Sequence, residues 1–112
     1  MNKPVKVMIK NWSIGENSIM KEITKEKIEK YFSVTEKAFK EAKKAKNRTK
    51  LNSERDDFLD MIERYIKDAR HFYDKGEVVD AFAALNYAHG WLDAGARLGL
   101  WDVHDSKLFT VD

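Results

Sequence analysis

In Val78-Val79-Asp80-Ala81-Phe82-Ala83-Ala84-Leu85-Asn86-Tyr87-Ala88-His89-Gly90-Trp91-Leu92-Asp93-Ala94-Gly95-Ala96-Arg97-Leu98 only Asp80, Asn86, His89, Asp93 and Arg97 are polar or charged, setting the two aromatics Tyr87 and Trp91 aside. At 100° per residue, Val78, Ala81, Phe82, Leu85, Ala88, Leu92 and Ala96 share one face of a helix. Ala83, Ala84, Tyr87, Gly90, Trp91, Ala94 and Gly95 share the opposite one. A helix that is apolar on two sides has to be covered on two sides. This segment is therefore expected to be the central helix of a bundle, or a central helix that also meets a second subunit.

Working outward, Gly76 sits just before this helix and Gly99 just after it, the residue type that closes a helix in the left-handed region at little cost. Upstream of Gly76, Phe58, Leu59, Ile62, Tyr65, Ile66, Ala69, Phe72 and Tyr73 recur at helical spacing, which predicts a second helix over about 53–75. Ser53 is the expected N-cap, with Asp56 at the third helical position and Glu54 and Asp57 nearby. The tight Gly76 connection makes these two helices an antiparallel hairpin. Counting from the turn pairs Phe72 with Phe82, Ala69 with Leu85 and Tyr65 with His89.

Ile28, Tyr31, Phe32, Thr35, Ala38, Phe39 and Ala42 form one more stripe, predicting a helix over about 25–46. Thr24 is its expected N-cap, and Ile23 and Ile28 stand where a hydrophobic staple would close. Residues 1–22 read as an N-terminal arm. Val5, Val7 and Ile9 alternate with lysine and methionine, but no partner strand is evident, and a lone strand is marginal. Ile14-Gly15-Glu16-Asn17 reads as a turn, and Trp12 and Ile19 would order the arm by finding a groove. Residues 99–112 read as an extended C-terminal tail. The expected architecture is all-α: an antiparallel three-helix bundle over 23–112, with helices at about 25–46, 53–75 and 77–98.

Composition narrows the function classes. The chain of 112 residues has no cysteine, which removes disulfides, thiolate metal sites and cysteine catalysis. No apolar run approaches the roughly 20 residues of a membrane-spanning helix. Val5 to Ile9 is too short for a signal peptide and is interrupted by Lys6, so a cytoplasmic setting without membrane contact is expected. The net charge of +2 conceals an asymmetry: residues 1–50 carry 14 Lys/Arg against 6 Glu, and residues 51–112 carry 7 against 13 acids. A basic helix lying against an acidic one accounts for it.

The run from Tyr65-Ile66-Lys67-Asp68-Ala69-Arg70-His71-Phe72-Tyr73-Asp74-Lys75-Gly76-Glu77 into Ala81–Leu100 resembles the short archaeal proteins of domain of unknown function 357. The similarity covers about residues 23–112 and is most specific over Asn86–Leu100. It implies an archaeal, cytoplasmic helical bundle and brings no activity and no catalytic residues with it. The hairpin is also similar to one unit of the helical repeats that serve as protein-binding scaffolds.

Three constellations carry the functional expectations. Asn86, His89, Asp93 and Arg97 stand three and four apart, so they share one side of the last helix. They form either a small polar pocket, in which Asp93 orients His89 as proton carrier or ligand, or a structural network in which His89 bonds Tyr65 or Asp93 and Asp93 pairs with Arg97. The network is the better account, since one His and one Asp are too few for a metal. Tyr87 and Trp91 are candidate anchors for a protein partner or a second copy, unless the first helix covers them through Tyr31, Phe32 and Phe39. Lys40, Lys43, Lys44, Lys46, Arg48 and Lys50, with Lys37, give residues 37–50 a local charge of +6 (seven cations, one acid) and are the candidate RNA contacts. Phe39 is the one aromatic among them and belongs to the core stripe, so no base-stacking platform is evident. Arg64 and His71 have the loose spacing of an all-helical ribonuclease signature, but Asp60, Arg64 and Asp68 also form a charge ladder that explains Arg64 without chemistry. The expected function is a non-enzymatic protein-interaction module. An RNA-associated accessory protein comes second and an enzyme built on His89 and Asp93 third. No catalytic residue, cofactor or metal is assigned.

Overall fold

A computed structural model describes residues 6–7 and 21–111 of the chain. Its helices are α1 (Lys25–Lys44), α2 (Asn52–Asp74) and α3 (Val78–Leu98), preceded by the two-residue strands β1 (Lys6–Val7) and β2 (Lys21–Glu22). The protein is an all-α, up-down-up three-helix bundle. α3 packs against both other helices, and α1 and α2 meet each other only sparsely. The prediction that the last helix is central therefore holds, and the physical reason is its weak amphipathicity.

Each helix starts and stops for a local reason. The Thr24 hydroxyl accepts from the Lys27 N–H at 3.1 Å, as an N-cap should. Ile23 and Ile28 are both buried in one cluster, closing the expected staple. At the end of α2, Gly76 takes φ 81°, its N–H donates to the Tyr73 carbonyl, and the Glu77 N–H reaches back to that of Phe72 at 2.8 Å. This is a Schellman closure, and it fixes the hairpin.

The expected Ser53 cap is not formed. α2 begins one residue earlier, at Asn52, with Leu51 at the cap position and no side-chain capping bond; the Ser53 hydroxyl donates to Glu54. The loop organises itself instead. The Asn47 side chain accepts from the Thr49 N–H and hydroxyl and donates to the Asn52 side chain, while the Thr49 hydroxyl accepts from the Leu51 N–H. These short-range bonds compete with helix and set its start.

Two clusters fill the bundle. One holds Ile28, Phe32, Ala69, Ala81 and Leu85, and the other Phe39, Ile62, Leu92, Trp101 and Phe109. The first includes Ala69 and Leu85, paired from the turn, with Phe72 and Phe82 half-buried against it and Phe82 5.1 Å from Tyr31 between ring centroids; Tyr65 meets Tyr87 rather than the expected His89. The second draws much of its bulk from the tail, because Leu100, Trp101, Leu108 and Phe109 are all buried. The tail, without regular structure, folds back and packs on the bundle, which its sequence alone left open.

Within the arm, β1 pairs antiparallel with β2, Lys6 opposite Glu22 and Val7 opposite Lys21. The partner that alternation in the sequence did not reveal is supplied by the arm's own end. The expected turn at 14–17 and the residues Trp12 and Ile19 lie outside the described residues.

Candidate functional site

His89 projects from the middle of α3 into the seam between α1 and the tail. Its Nε2 lies 2.8 Å from the Leu108 carbonyl, which can only accept, so Nε2 carries the proton. Nδ1 is then the acceptor for the Thr35 hydroxyl at 3.1 Å. Thr35 is 3% exposed, the one buried polar residue among those described, so its hydroxyl needs this partner. One turn further on, the Asp93 carboxylate accepts from both the N–H (2.8 Å) and the hydroxyl (3.1 Å) of Thr110. The Arg97 guanidinium donates to the Thr110 carbonyl at 3.3 Å.

The polar strip of α3 therefore clasps the tail through His89, Asp93 and Arg97. Two expected partnerships are corrected: His89 bonds Thr35 and Leu108 rather than Tyr65, and Asp93 binds Thr110 rather than Arg97. Asp93, the other expected partner of His89, stands 3.9 Å from Nε2, beyond hydrogen-bonding distance. Asn86 stands exposed and takes no part. Among the described residues no three His, Asp or Glu side chains gather as metal ligands.

The other end of the tail is held by groups that the sequence did not announce. The Trp101 indole N–H donates to the Leu92 carbonyl at 2.9 Å, and its ring lies where a Cβ on Gly95 would be, 2.0 Å from Cζ2. Arg55, inside the acidic first turns of α2, donates to the carbonyls of Ala42 and Lys43 at the end of α1 and of Leu100 after α3. It adds a donor at the C-terminal carbonyls of α1, where helical partners run out, and ties three segments together.

Tyr87 and Trp91 are covered by α2, not by α1. Trp91 meets Phe58 edge-on at 4.7 Å, and Tyr87 meets Tyr65 at 4.6 Å. The reason is handedness of placement: α1 occupies the Phe82–His89 side of α3, so the opposite side falls to α2. Coverage is incomplete. Val79 is 38%, Tyr87 48% and Leu98 57% exposed, and Ala83 and Gly90 are exposed between them. These five residues fall within a 100° arc of α3.

The basic segment does not form one patch. Lys40 and Lys43 line the groove between α1 and α2, and Lys44 faces the hollow beside the tail. Arg48 turns to Asp102 at 3.5 Å, while its N–H donates to the Gly99 carbonyl. Lys46 and Lys50 stand exposed on the loop. Arg64 pairs with Asp60 at 3.0 Å across one helical turn, and both it and His71 point into solvent.

The sequence model of a protein family of unknown function, DUF357, matches residues 30–101, well over half of the chain. The chain belongs to that family. No curated protein matches the chain, and neither does any solved structure. The DUF357 match begins inside α1 and ends at Trp101, so it takes in α2, α3, Arg55, Gly95 and the indole they enclose. The arm, the clasped segment of the tail at Leu108–Thr110 and the first turn of α1 lie outside it. No helix among the described residues is long and apolar enough to cross a membrane.

Proposed function

We propose that this DUF357 protein is a non-enzymatic interaction module that docks a protein partner on the exposed face of α3, in a cytoplasmic setting. The observation that carries the reading is the line Val79–Ala83–Tyr87–Gly90–Leu98. There, large apolar side chains alternate with small ones, flanked by the exposed polar side chains of Asp80 and Arg97. Small residues let a second backbone approach, and Tyr87, backed by Tyr65 and Trp91, is a rigid amphipathic anchor of the kind enriched at binding hot spots. Exposed apolar side chains grouped on one face mark interaction sites more often than scattered ones do.

The enzymatic reading has less support, because the one histidine on α3 spends both ring nitrogens on Thr35 and the tail. The RNA reading loses support from the division of the basic segment over three surfaces. A photo-crosslinking residue at position 87 tests the interface in the native host, with the same residue at position 64 as a control on the solvated side of α2. Adducts to one defined protein, or to a second copy, from position 87 alone are expected. Identical adduct sets from both positions would end the proposal.

A further inference from the structure

α1 and α2 both pack on α3 and meet one another only sparsely, and an open groove of about 760 Å³ lies between them. Its floor is apolar: Phe39 and Ile66, 9% and 8% exposed. Its walls are charged, and their charges are not balanced. Arg70 pairs with Glu29 at 3.6 Å and Glu36 at 3.5 Å, and Lys67 pairs with Glu63 at 3.8 Å, so every carboxylate lining the groove is answered from within it. Lys37, Lys40 and Lys43, along the α1 rim, have no carboxylate partner among the described residues, and the Lys43 ammonium lies 4.5 Å over the Phe39 ring.

We propose that this groove docks an acidic amphipathic helix of a partner protein. The partner's apolar side chains seat on Phe39 and Ile66, and its carboxylates pair with Lys37, Lys40 and Lys43. The spacing supports a helix. Three-residue steps along α1 advance about 4.5 Å, and carboxylates three or four residues apart on a helix lying alongside advance by about 4.5–6 Å. A helix laid in an apolar groove with charged rims is a recurrent mode of recognition. A nucleic acid fits less well, because single strands are held by successive bases stacking on several aromatics, and Phe39 is the one aromatic that lines this groove. Charge sets the partner apart from this chain's own ends. The arm over residues 1–22 carries Lys3, Lys6, Lys10 and Lys21 against Glu16 and Glu22, a charge of +2 that the lysine rim repels. The tail is engaged on α3.

The inference shares the reading of the chain as an interaction module but uses a different surface. The experiment uses the full chain and three fluorescein-labelled probes. These are a 16-residue helical peptide with leucines on one face flanked by glutamates, the same peptide with every Glu replaced by Gln, and a single-stranded RNA of equal charge. The acidic peptide should bind, and the Gln peptide and the RNA should bind at least tenfold more weakly. The double charge reversal Lys37→Glu with Lys40→Glu, both exposed, should weaken the acidic peptide by about tenfold or more. Tyr87→Ala should leave that binding unchanged, which separates this site from the α3 face. Equal binding of the two peptides, no binding of either, or tighter binding of the RNA lost in the same double variant would overturn the proposal. So would occupancy of the groove by a second copy, seen as self-association abolished by the charge reversal.

Discussion

Gly95→Ala and Gly90→Ala are the same substitution five residues apart on one helix, and they should have opposite signs. Both glycines have ordinary helical backbone, so alanine is conformationally welcome at each and should contribute about 0.5–1 kcal/mol through the reduced entropy of the unfolded chain. At Gly90 nothing lies within 4 Å of the new methyl, so that gain stands alone. At Gly95 the methyl would lie 2.0, 2.4 and 2.5 Å from three atoms of the Trp101 ring. Carbon atoms rest about 3.5–4.0 Å apart, so the ring must retreat by about 1.5 Å. Retreat breaks the indole bond to Leu92, at a cost of about 1 kcal/mol, and strains a ring that is fully buried. Overpacking adds about 1–3 kcal/mol, and the ceiling is the roughly 3–5 kcal/mol of losing a buried tryptophan altogether. After the propensity gain, Gly95→Ala should be destabilised by about 1–4 kcal/mol, or roughly 4 °C in Tm per kcal/mol for a chain of this size. Urea unfolding followed by circular dichroism measures the difference, and tryptophan fluorescence reports whether the indole has become wet. Combining Gly95→Ala with Trp101→Leu should cost less than the two changes summed, since the second removes the clash. A Gly95→Ala protein as stable as Gly90→Ala would refute the packing of the tail against α3.

Three further perturbations probe the connections around that contact. Arg55→Met keeps the aliphatic stem but removes the donors to Ala42, Lys43 and Leu100, and should cost about 1.5–3 kcal/mol in urea; an unchanged midpoint would remove Arg55 from the account. His89→Leu leaves the Thr35 hydroxyl and the Leu108 carbonyl unpaired and should cost about 1–3 kcal/mol, with a smaller loss in a chain ending at residue 107. Equal losses in both lengths would show that His89 does not hold the tail. Burial pushes the Tyr73 phenol above its ordinary value of 10.0, and its hydrogen bond to the Glu29 carboxylate and the charges of Glu29 and Asp74 push the same way. The native state then keeps a proton that the unfolded chain releases, so stability is fully present below about pH 10 and falls as pH rises through the shifted value. Tyr73→Phe should show a shallower alkaline loss than the native chain, and parallel slopes from pH 8 to 11 would contradict that environment.

Much of the bundle is legible in the residues. The α1 stripe from Ile28 to Ala42 is buried as spaced, the Gly76 closure is where punctuation placed it, and the two apolar sides of α3 made it central. The candidate site was legible in membership but not in use. His89, Asp93 and Arg97 do act together, yet their partners are Thr35, Leu108 and Thr110, on elements 13 to 54 residues away in sequence. Helical periodicity places residues on a face and says nothing of what that face meets. Arg55 was passed over because its neighbours Glu54, Asp56 and Asp57 read as dipole-stabilising acids, and a cation among them looks like an incidental exposed charge. Gly95 did carry a signal: a glycine inside a helix that costs about 1 kcal/mol relative to alanine asks what approaches so closely.

What local chemistry could settle was settled early: the number of helices, their stripes, the hairpin between α2 and α3 and the enclosure of α3 follow from the 3.6-residue period and from glycine's freedom of φ. Those are interactions between residues near in sequence, which any chain with this pattern would make. The tail's return to α3, the assignment of α2 rather than α1 to Tyr87 and Trp91, and the groove left between α1 and α2 arise only when three cylinders are packed at once. Each depends on the volume left over after the others have docked. That remainder is a property of the whole assembly and is written in no single stretch of sequence.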